Sequence, residues 1–104
     1  MTTVKAIFLL PVKDNNGRPL SAEISTTIDE VYEAFNGWTF EGTVFGAFRM
    51  ADGTQKRDQC VKYMVFLDGR QRGALERILR KFKAETLQEA IYLEIQRNVE
   101  IRLL

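Results

Sequence analysis

The chain has 104 residues, a length that fits one domain able to bury its own core. Hydrophobic residues make up 45% and charged residues 28% of it, with only two prolines, which excludes a disordered or fibrous chain. The net charge is +1, but residues 1–54 carry four Lys/Arg against seven Asp/Glu, and residues 55–104 carry eleven against seven. There is no histidine, so Ser-His-Asp and Cys-His catalysis, the common zinc sites and the usual neutral-pH base are all removed. One cysteine, Cys60, cannot form an internal disulfide and fits a reducing compartment.

Taken in chain order, Val4 to Val12 is apolar on both alternating faces, the pattern of a strand central in its sheet. The run Ala6 to Leu10 is too short to span a bilayer and lacks the flanks of a secretion signal, so a cytoplasmic protein without membrane contact is expected. "KDNNGRPL" (13–20) reads as a loop, and Ser21 as the cap of a helix. Ile24, Ile28, Val31 and Phe35 form one face of that helix, which ends near Asn36-Gly37.

"TFEGTVFGAFRM" and "QKRDQCVKYMVFL" flank Asp52-Gly53, a two-residue hairpin signal. With Ala51 facing Thr54, Phe40, Val44, Val61 and Val65 fall on one face, and Gly42 sits opposite Tyr63. The other face then holds Phe45, Cys60, Met64 and Phe66, with Asp58 opposite Ala47. Asp68 and Gln71 have capping-box spacing, and Leu75, Ile78, Leu79 and Phe82 form the apolar stripe of a second helix. Ala90 to Gln96 alternates as a strand, and Val99, Ile101 and Leu103 alternate again after Arg97-Asn98. The order is β-α-β-β-α-β plus a short fifth strand. It predicts a single ferredoxin-like α+β domain over residues 1–104, a two-layer sandwich with both helices on one face of an antiparallel sheet.

The segments "NGWTF" (36–40), "GAF" (46–48), Asp58 with Tyr63, and "FKAETLQEAIYLEI" (82–95) carry a further signal. Their pattern resembles a family of small uncharacterised bacterial domains of unknown function. Asn36 stands where that family has Gly, and Phe48 where Trp is common. The resemblance implies a ferredoxin-like fold and supplies no catalytic residues.

Candidate chemistry is sparse. Asp58, Arg49 and Tyr63 are candidates for a small nuclease- or oxygenase-type enzyme, with Asp58 as base, though a cross-strand ion pair explains Asp58 as well. Cys60 reads as a small buried side chain rather than a nucleophile, with Lys62 as the nearest cation. The second helix offers Arg70, Arg72, Arg77, Arg80, Lys81 and Lys83 to nucleic acid, but the first helix carries four acids and no base, so the two can complement each other. "TVFGAFRM" lacks the leading Lys/Arg-Gly of an RNA-recognition strand and lies on the second strand, not the third. No metal site or cofactor is expected.

The uncovered sheet face remains, with Phe45, Cys60, Met64, Phe66 and Tyr92 and the stripe Val99, Ile101 and Leu103. An apolar patch of that size points to self-association, with a two-fold dimer favoured, or to a protein partner. The expected function is non-enzymatic and acts through that face. Nucleic-acid binding is the alternative.

Overall fold

The computed structural model describes residues 2–104. In chain order the elements are β1 (Thr3–Pro11), α1 (Ser21–Phe35), β2 (Thr39–Arg49), β3 (Gln55–Asp68), a single 3₁₀ turn (Gly69–Gln71), α2 (Arg72–Glu85) and β4 (Tyr92–Gln96). The sheet order is β2-β3-β1-β4, antiparallel at every pairing.

The alternation in β1 sorts its residues by layer. Val4, Ala6, Phe8 and Leu10 point to the helices and are almost wholly buried. Val65 and Leu67 of β3, Ile28 and Val31 of α1, and Leu75, Leu79 and Phe82 of α2 complete this core. Leu93 and Ile95 of β4 lie opposite Phe8 and Ala6 on the same side. The expected stripes of both helices therefore face the core, with Ile24, Phe35 and Ile78 partly buried at its margin. Between the helices, Lys81 Nζ meets Glu30 Oε1 at 2.5 Å, a direct instance of their complementary charge.

The helix ends have identifiable causes. Asn36, in the left-handed region at φ 66°, closes α1 and donates its N–H to the Tyr32 carbonyl. At the start of α1 the expected Ser21 cap is not formed. Ser21 is the first helical residue and Leu20 precedes it, its carbonyl accepting from Ile24 N at 2.9 Å while its side chain is fully buried. Arg18 instead ties the loop to the first turn through Glu23 at 2.7 Å. The Asp68–Gln71 capping box forms in full, at the entry to the 3₁₀ turn.

The hairpin differs from its expected register for two physical reasons. Its loop has three residues rather than two. Met50 N donates to Thr54 O at 2.7 Å, Gly53 takes φ 89°, and Asp52 Oδ1 accepts from both the backbone and hydroxyl of Thr54. A bulge between Phe40 and Thr43, with Gly42 at φ 106°, then shifts the pairing again. The two shifts leave Phe40 on the helix side, now opposite Tyr63, so Gly42 does not face Tyr63. Between bulge and loop the sides are exchanged. Val44, Gly46 and Phe48 lie opposite Cys60, Asp58 and Lys56 on the uncovered face, and Phe45 lies opposite Gln59 on the helix side. There Phe45 is 79% exposed.

The fifth strand is absent. β4 begins at Tyr92 rather than Ala90, and residues 97–104 form no regular structure. Asn98 sits in the left-handed region at φ 59°, and the residues after it pair with no strand. Val99 and Ile101 are partly buried, and Leu103 is exposed.

Candidate functional site: the uncovered face and its cavity

The register builds the face opposite the helices row by row. Gln96, Lys5 and Phe66 form one row; Glu94, Ile7, Met64 and Thr39 the next; then Tyr92, Leu9 and Lys62; then Pro11, Cys60 and Val44. Cys60, Met64, Phe66 and Tyr92 thus occupy the side expected of them. Phe45 is replaced there by Val44 and Phe48, and the Val99/Ile101/Leu103 segment joins no strand. Phe48, Phe66 and Tyr92 are each close to half exposed. Charges of both signs alternate on the face: Lys5 and Lys62 accompany Glu41 and Glu94, with Lys62 Nζ 3.9 Å from Glu41 Oε1, and Lys56 accompanies Asp58 toward the hairpin.

One end of this face is partly closed. The connection from α2 to β4 folds against the hairpin, where Glu89 Oε2 accepts from Ala51 N at 3.4 Å and Gln88 Oε1 accepts from Lys56 Nζ at 3.5 Å. Lys56 also donates to Asn15 Oδ1 in the first loop. These contacts enclose a cavity of about 280 Å³ with an apolar surround that includes Leu9, Pro11, Phe48, Cys60, Ile91 and Tyr92. Its polar lining is Arg49, Lys56, Asp58, Gln88 and Glu89.

The three candidate catalytic residues separate here. Asp58 and Arg49 both line the cavity, and Lys56, not Arg49, pairs with Asp58, at 3.4 Å. Tyr63 lies on the other side of the sheet, packed against Phe8, Trp38 and Phe40 with centroids 5.8, 5.4 and 5.5 Å away. Burial pushes its hydroxyl above the ordinary tyrosine range. Cys60 is 6% exposed, and its thiol is pushed up to about 11, first by burial and then by the Asp58 charge, against a smaller opposing effect of Lys56. A thiol held protonated in this way is no nucleophile near neutral pH. On the open edge, Tyr92 donates its hydroxyl to Glu94 Oε1 at 2.8 Å, which raises the tyrosine. The Gln96 amide and that hydroxyl together hold the Glu94 carboxyl low.

Of the basic residues on and before α2, Arg70 is bound to Asp68 at 3.1 Å and Lys81 to Glu30. Arg72, Arg77, Arg80 and Lys83 make no salt bridge among the described residues. No group of three or more Cys, Asp or Glu side chains is placed to hold a metal among the described residues, and no helix is long and apolar enough to cross a membrane.

Sequence reasoning missed the cavity, because it depends on the α2–β4 connection folding onto the hairpin, and no local pattern encodes that contact. Asn15 in the first loop and Gln88 before β4 are residues 41 and 32 positions from Lys56, yet both meet its ammonium.

Strand order and helix placement define a ferredoxin-like α+β protein. The sequence matches no family model and no curated protein. Solved structures with a similar fold include a phage SAM lyase in complex with S-methyl-5'-thioadenosine (TM-score 0.70, 14% identity, 92% of this chain and 81% of that one). A DUF3240 family protein from Shewanella baltica is similar over 100% of this chain and 98% of that one (TM-score 0.67, 13% identity). CutA1 from Oryza sativa is similar over 98% and 84% (TM-score 0.65, 10% identity). At these identities the likeness shows the fold.

Proposed function

We propose that the protein acts by self-association, with the uncovered sheet face of one copy meeting that of another in a two-fold dimer. The observation that carries this reading is the composition of the face. Phe66 and Tyr92 are exposed on it, Leu9, Val44 and Met64 are half-buried beside them, and no helix of the described residues packs against that side. Lys5, Lys56 and Lys62 stand on it beside Glu41, Asp58 and Glu94, so two copies can face each other with cations opposite anions. A two-fold axis needs a self-complementary surface of this kind. Burying the apolar part is worth about 25 cal/mol per Å² before the cost of association.

The test is substitution on the face. Phe66→Asp and Met64→Asp each place a charge at the centre of the contact and leave the helix-side core untouched. Both variants should remain folded by circular dichroism and run at a smaller hydrodynamic size than the parent in size-exclusion chromatography. Folded variants that keep the parent's size would refute the assignment of the interface.

A further inference from the structure

We propose that the cavity between the hairpin and the α2–β4 connection binds a small planar aromatic amine without net charge, of base or nucleoside size, with Asp58 accepting its amino group. The site goes beyond self-association by assigning a ligand, and it lies at one end of the same face, sharing Leu9 and Tyr92 with it. The acceptor is the first argument. The Asp58 side chain is only 16% exposed, and its carboxylate has one partner, Lys56 at 3.4 Å, and accepts no hydrogen bond from any described residue. A carboxylate offers about four acceptor positions, so most of its capacity is open toward the cavity.

The charge balance decides against an anion. Arg49 and Lys56 are offset by Asp58 and Glu89 within the lining. Lys56 donates to Asn15 and Gln88 and its charge lies 3.4 Å from Asp58, so its cation is already spoken for and the lining as a whole offers an anion no net positive field. The body of the ligand is set by Leu9, Phe48, Ile91 and Tyr92, two of them aromatic and able to stack on a flat ring. The volume of about 280 Å³ lies just below the range of drug-sized sites, which limits the ligand to a base or nucleoside.

Isothermal titration calorimetry of the unaltered protein with adenosine and with purine riboside, which lacks only the amino group, isolates the Asp58 contact without a variant. Adenosine should bind and purine riboside should be weaker by about tenfold or more. Asp58→Asn, which keeps the shape of the side chain, should weaken adenosine by a similar factor with the circular dichroism spectrum unchanged. Phe48→Ala should also weaken it, and adenosine monophosphate should bind no tighter than adenosine. Equal affinity for adenosine and purine riboside, or no saturable binding of adenosine up to about 1 mM, overturns the proposal.

Discussion

The ring of Phe48 lies across the bare backbone of Gly46. A methyl group at Gly46 would stand 2.8 Å from Cε2 and 2.9 Å from Cζ of that ring. Two residues apart on one strand, they share the uncovered face, and the ring reaches the cavity from there. Gly46→Ala should displace the ring and destabilise the fold by about 1 kcal/mol, at the low end for overpacking because Phe48 is half exposed and can rotate. In a Phe48→Ala background the same substitution should cost almost nothing. A double-mutant cycle by urea denaturation checks this coupling, and equal costs in both backgrounds would contradict it.

Leu87 holds a left-handed conformation at φ 55° with its side chain 81% exposed. It closes α2: its own N–H reaches the Ala84 carbonyl at 3.4 Å, and Gln88 N reaches the Lys83 carbonyl at 3.1 Å. That double bond pattern favours glycine, since a Cβ there costs roughly 1–2 kcal/mol. Leu87→Gly should therefore stabilise the protein by about 1 kcal/mol, partly offset by the entropy of glycine in the unfolded chain. A rise in the denaturation midpoint with unchanged slope is the expected result.

Cys60 makes a prediction in alkali. Its folded thiol titrates near 11, above the ordinary cysteine value, so the unfolded chain loses this proton first as pH rises. The contribution to stability is complete below the unfolded pKa and is lost as pH climbs through the folded one. Cys60→Ala should flatten that part of the stability profile. At pH 8, iodoacetamide should label the native protein far more slowly than the protein in denaturant.

Asp68 makes the opposite prediction in acid. The Arg70 side chain, and then the Arg70 backbone N–H, hold its carboxyl below the usual aspartate range. Its contribution is present above the unfolded pKa and is lost as pH falls through the folded one. Asp68→Ala should lower the melting temperature at neutral pH, and the gap from the parent should close in acid.

Much of this architecture was legible because local and global signals agree. The apolar positions Ile28 and Val31, and Leu75, Leu79 and Phe82, are the buried ones, and the Asp68–Gln71 spacing gives the expected cap. The hairpin failed in detail for a local reason. Asp52-Gly53 suits both two- and three-residue loops, and one extra loop residue exchanges the faces of Val44, Phe45 and Phe48. The C-terminal alternation misled because period two is necessary for a strand but not sufficient. The outer edge of β4 is open, yet Val99 to Leu103 does not pair with it and stays irregular. The cavity was least legible, since its walls come from β1, the hairpin and the connection before β4.

The central claim is that the uncovered face joins copies of this chain. Multi-angle light scattering during a dilution series measures it most directly. At tens of micromolar, roughly where a modest dimer is populated, the mass should be twice that of the 12.0 kDa chain and should fall toward one chain on dilution. A mass of one chain throughout, at concentrations up to roughly 100 micromolar, would contradict the claim.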